Sequence, residues 1–102
     1  MKFIQFLIEN KLLNYSDDDE LITACGDFKK VHKQYCLYCQ YTKQSCETYK
    51  ESITHLKDKL GTEAKRLHRN HLTQWYYIGI KTAPMSEVRK IVLQNLPKFD
   101  YQ

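Results

Sequence analysis

Three glycines and two prolines are the only strong helix breakers in this 102-residue chain. Glycine supplies positive φ at tight turns and proline stops a helix, so a chain poor in both has few places to end one segment and reverse into the next. The scarcity sets the fold expectation: all-α, a small single domain of four or five helices over residues 1–102, with room for one short strand near residues 74–80. The length allows one modest hydrophobic core.

The apolar pattern supports that expectation. Phe3, Ile4, Leu7, Ile8 and Leu12 fall on one stripe of FIQFLIENKLL. Ser16 reads as the N-cap of a second helix, with Asp19 at its third position and the acids of DDDE facing the positive end of the helix dipole. Calcium or magnesium binding by the same acids would need alternating ligand spacing and a turn glycine, and both are missing. From Cys25 a heptad-like seam runs through Phe28, His32, Tyr35, Cys39, Thr42, Cys46, Tyr49, Ile53, Leu56 and Leu60 to Leu67. Gly61 and Thr62 read as a helix end and a fresh cap, and Ser45 as a cap for a helix starting at Cys46. QWYYIGI, residues 74–80, is the one stretch with β character. Beyond KTAP, Ser86 caps a final helix carrying Val88, Ile91, Val92 and Leu96 to Pro97.

Composition removes several classes. With 42% hydrophobic and 27% charged residues the chain is neither disordered nor membranous. No apolar run reaches the roughly 18 residues of a membrane span. Gln5, Glu9, Asn10 and Lys11 interrupt the N-terminal apolar stretch, which therefore does not read as a signal peptide. The expected location is intracellular, cytoplasmic or nuclear and not secreted, where cysteines stay thiols or bind metal.

VHKQYCLYCQYTKQSC, residues 31–46, holds three of the four cysteines. On a helix His32, Cys36 and Cys39 share a face, and thiolates with imidazole suit tetrahedral zinc. Cys46 would lie about 10 Å farther along an unbroken helix, at 1.5 Å per residue. A structural zinc held by His32, Cys36, Cys39 and Cys46 therefore requires the helix to stop between residues 40 and 45. Cys25, His68 and His71 are alternative fourth ligands, the last two as an HxxH pair on a helix. Two other readings compete: plain packing, since free cysteine behaves as a small hydrophobe, and dithiol chemistry, which lacks its usual βαβ surroundings.

The net charge of +4 is uneven, with an acidic head before residue 29 and a basic middle from 29 to 71. Lys57, Lys65, Arg66 and Arg69 are candidate phosphate contacts, read as helical, with a solvated basic face as the plain alternative. Trp75 reads as core rather than as a stacking platform. No phosphate-cradling glycine loop, nucleophile elbow or zinc-protease motif is present, so an enzyme is not expected. The expectation is a non-enzymatic binding or regulatory module, zinc-stabilised, whose basic surface contacts nucleic acid. The alternative is a small phage- or virus-type inhibitor or adaptor that docks on a host or regulatory protein through a helical hydrophobic face without metal. A homodimer through the seam is a further option.

Overall fold

A computed structural model describes residues 2–17 and 20–95. It overturns the all-α expectation. Among the described residues the chain alternates four helices with five strands: α1 Lys2–Glu9, β1 Leu13–Tyr15, β2 Ile22–Ala24, α2 Cys25–Tyr41, α3 Tyr49–Leu60, β3 Ala64–Arg69, β4 Leu72–Ile78, β5 Ile80–Thr82 and α4 Met85–Gln94. The strand anticipated near residues 74–80 exists, but as one of five in two antiparallel sheets. One sheet pairs β1 with β5; the other has the order β2-β4-β3.

The chain makes several of its turns without glycine. Lys11 and Lys43 adopt positive φ just beyond α1 and α2, where Gly is the usual residue. In each case backbone donors reach back to the last turn: Leu12 N to Leu7 O at 2.8 Å, and Gln44 N to Cys39 O at 2.8 Å. Asn70 and His71, with φ of 51° and 64°, form the two-residue turn between β3 and β4. Two successive positive φ values define the type I′ turn that matches strand twist. The register Arg69↔Leu72 through Ala64↔Tyr77 follows from it.

Each expected helix start needs correction. Strand β2 occupies residues 22–24, so the second helix begins at Cys25 and not behind Ser16; Asp19 lies outside the described residues. Ser45 caps nothing. Thr48 caps α3 instead, its Oγ1 accepting from Glu51 N at 3.1 Å. Gly61 does end α3 in the left-handed conformation, but a strand follows rather than a helix. Pro84, not Ser86, precedes α4, and Leu96 and Pro97 lie outside the described residues.

The helical stripes nevertheless meet in one core. Phe3, Ile4 and Leu7 of α1 pack with Phe28, Val31, Tyr35 and Cys39 of α2, and with Leu56, Tyr77, Ile80 and Val88. The rings interlock: Phe3 lies 5.4 Å from Phe28 and 5.0 Å from Tyr35, and Phe28 meets Tyr77 edge-on at 5.3 Å. The seam of α2 and α3 is therefore buried inside the chain.

Gly79 lets one extended segment serve both sheets. It sits between β4 and β5 at φ 87°, donates to Leu21 O at 2.7 Å and accepts from Ser16 N at 3.0 Å. A Cβ there would stand 2.9 Å from Ser16 O. Gly79→Ala adds left-handed strain to a backbone clash and should lower folding stability by about 2 kcal/mol. Urea denaturation checks this; an unchanged midpoint would show that the kink relaxes freely.

Candidate functional site

Helix α2 stops where a shared ion needs it to stop. Its last residue is Tyr41, and Thr42 turns the chain, donating from Oγ1 to Tyr38 O at 2.8 Å. The connection from 42 to 48 then folds back along α2 and returns Cys46 toward the helix. As a result one ligand atom each of His32, Cys36 and Cys46 lies within 4.8 Å of the others, and the three could hold a metal ion.

The geometry fixes which histidine nitrogen is available. His32 is buried, and its Nε2 lies 2.7 Å from the carbonyl oxygen of Glu47. A carbonyl only accepts, so Nε2 carries the proton and Nδ1 presents its lone pair. Cys36 Sγ lies 3.7 Å from Nδ1 and 3.9 Å from Nε2, so the Glu47 carbonyl rather than distance selects Nδ1. Phe3 and Tyr49 hold the ring edge-on at centroid distances of 5.0 and 5.5 Å. A backbone carbonyl orienting the far nitrogen is the usual support of a metal-binding histidine.

Cys39 stands behind this trio and not within it. It is fully buried, and its thiol interacts with both Cys46 and the Tyr35 hydroxyl. Burial, and then the adjoining Cys36 and Cys39 thiols, push the Cys46 thiol up to about 12. Burial and Cys39 likewise raise the Tyr35 hydroxyl. Metal-free, Cys46 favours its neutral thiol, and a cation that takes it as a ligand would displace its proton. Cys25 is elsewhere, at the start of α2 beside Tyr77. His68 and His71 are on the β3–β4 hairpin rather than on a helix, and His68 Nδ1 is engaged with Thr73 Oγ1 at 2.9 Å.

Glu47 is the residue that the sequence does not reveal. Its carbonyl orients His32 and accepts from Cys46 Sγ at 3.4 Å. Its carboxylate accepts from the Lys2 and Phe3 amides at 3.1 and 3.4 Å and from Ser52 Oγ at 3.0 Å. It thereby caps the first turn of α1 and ties that helix to α3. Burial alone would raise this carboxyl, but the donors gathered around it, Ser52 and the two amides among them, hold it down to about 2. Its partners are 44 and 45 residues upstream, so no local pattern announces it.

The basic candidates divide between two elements. Lys57 stands in the last turn of α3 with Lys59, where a cation opposes the negative end of the helix dipole. Lys65, Arg66 and Arg69 are exposed on β3, a strand and not a helix. Strand alternation and register put Lys65 and Arg69 on one face with Tyr76 and Leu72, and Arg66 on the other opposite Trp75. Trp75 is 54% exposed, contrary to its reading as core. Only residues 76–78 of β4 pair with β2, so the hairpin from Lys65 to Trp75 projects past it as a two-stranded ribbon. No helix is long and apolar enough to cross a membrane among the described residues. No family model, curated protein or solved structure matches this chain.

Proposed function

We propose that this chain is a non-enzymatic nucleic-acid-binding module in which a structural zinc ties the end of α2 to the loop before α3. The observation that carries the reading is the β3–β4 ribbon. It carries exposed Lys65, Arg66 and Arg69 and sets an exposed Trp75 across from Arg66. Cations that track phosphates beside an aromatic face that can stack on a base are the two parts of single-strand recognition. The protein-docking alternative draws less support, because the helical seam it would use is occupied by the core.

Zinc fits the donor set. Two thiolates and one imidazole are soft to borderline ligands, and bonds of about 2.0–2.3 Å place ligands roughly 3.3–3.8 Å apart around a tetrahedral ion. The 3.7 Å between His32 Nδ1 and Cys36 Sγ is already in that range. Cys39, adjoining Cys46, is the proposed fourth ligand. Zinc would close the loop of residues 42–48 against α2 and add its binding energy to folding.

Trp75 is the single tryptophan of the chain, so its emission reports the ribbon alone. Titration with a short single-stranded oligonucleotide should quench it, and added salt should reverse the quench. Trp75→Ala should weaken binding by about 1–3 kcal/mol, the range for one stacked base. Absence of quenching and of salt-sensitive retention would reject the nucleic-acid reading.

A further inference from the structure

The ribbon does more than project. Together with the body of the protein it encloses a cleft of about 1000 Å³, open to solvent, whose far wall is the β5–α4 connection and whose floor is β2 and the first turns of α2. Lys30 of α2, Arg69 of β3, Lys81 of β5 and Arg89 of α4 all line it. These four lie far apart in sequence, so no basic run marks them. All four are exposed, and among the described residues none is paired with a carboxylate. Asp27 and Glu20 line the cleft as well, leaving an excess of two positive charges around it.

Four cations around one concavity, offset by only two carboxylates, repel each other, and they are relieved by an anion that several can share. The ribbon face that turns into the cleft carries Arg69, Gln74 and Tyr76. Tyr76 is buried, and its hydroxyl accepts from Gln74 Nε2 at 2.9 Å. That wall therefore offers charge and hydrogen bonds rather than a free aromatic face, which suits phosphates and not bases. The volume is at the upper end of the roughly 300–1000 Å³ typical of a site for one small ligand. It suits a short run of one strand rather than a duplex.

We infer that this cleft is a phosphate-binding subsite, built by Lys30, Arg69, Lys81 and Arg89, for the backbone of a single nucleic-acid strand whose bases reach Trp75 around the ribbon. The inference deepens the nucleic-acid reading and rests on it for the identity of the ligand. The cleft itself could be occupied by a mononucleotide with the same chemistry.

The test measures affinity for a labelled oligothymidylate and, separately, for ATP, across a salt series. Lys81→Gln with Arg89→Gln removes two exposed cleft cations and should lower oligothymidylate affinity at least tenfold. The slope of log affinity against log salt should fall by about 1.4, at about 0.7 per phosphate contact on a single strand. Asp27→Asn should act in the opposite direction and tighten binding, which a merely unfolded variant would not do. Unchanged affinity and slope in the double variant, with Trp75→Ala still defective, would overturn the cleft and leave the ribbon reading standing. Binding of ATP but not oligothymidylate, lost in the double variant, would keep the cleft and reject the nucleic-acid reading. Failure of both probes would overturn both.

Discussion

One molar equivalent of zinc added to metal-free protein is expected to bind and to raise the thermal midpoint strongly. At a free concentration about 100-fold above the dissociation constant, linkage gives about 2.7 kcal/mol, or roughly 10–20 °C for a domain of this size. The gain should vanish in Cys36→Ser, in Cys46→Ser and in His32→Ala, because each removes one of the three atoms already gathered within 4.8 Å. Cys39→Ser is the discriminating variant. If Cys39 completes the shell, the gain shrinks sharply; if water completes it, the gain is retained. The four variants also have different metal-free baselines. His32 is packed between Phe3 and Tyr49, so its loss costs core stability with or without metal, whereas the more exposed Cys46 costs little. Differential scanning fluorimetry with and without a chelator reads both quantities. Identical midpoints for wild-type protein in zinc and chelator would remove the metal from the account.

Glu47→Gln should be the most damaging conservative substitution outside the apolar core. The carboxylate is held at about 2 against an ordinary 4.5, which corresponds to stabilisation on the order of 3 kcal/mol. The sign follows from the depression. The stabilisation is complete above about pH 4.5 and is lost as pH falls toward 2. Wild-type stability should therefore decline through that window, while the glutamine variant, already lacking the charge, should change much less there. Denaturation midpoints at neutral pH and midway through the window test this. Parallel losses in the two proteins would mean that other carboxylates govern the acid limit. His55 Nδ1, 3.1 Å from Glu47 Oε2, belongs to the same polar knot at the foot of α1.

The legible parts of this fold were those with a long apolar period. The α1 stripe, the α2 and α3 halves of the seam and the Val88 and Val92 repeat of α4 bury most of the residues that the spacing selects, except Ile8, which is exposed, and Cys25, Tyr49, Ile53 and Leu60, which are half-buried. The sheets were hidden for separable reasons. Strands β1, β2 and β5 have three residues each, too few to establish a period of two. Strand β3 is exposed on both faces except at the half-buried Leu67, so KRLHR shows no alternation and its cations read equally well as a helix surface. Lys11, Lys43, Asn70 and His71 take up conformations for which glycine is the usual choice, and a count of glycines cannot see them.

The site was legible to the extent that its chemistry is local. His32 and Cys36 are one turn apart, and the requirement that the helix end before Cys46 could be stated from axial rise alone. Cys39 has the right helical phase, but it also faces Tyr35 and the core, and it is not among the three residues whose ligand atoms gather. Glu47 and the cleft were invisible because their parts are joined only by tertiary structure.

The partner switch at Gly79 has a consequence for how the chain reaches this structure. β1 and β2, within residues 13–24, find their partners only at residues 76–82. Helices α2 and α3 and the β3–β4 ribbon, by contrast, need only near neighbours. On the ribosome α2 and α3 can form early, while the two N-terminal strand segments wait unpaired until β4 and β5 emerge in the last third of the chain. Long-range pairing of this kind slows folding relative to a helical bundle of equal length. Closure of both sheets around one bent segment is then the late event, and a lesion at that bend should be felt in the rate of folding as well as in its endpoint.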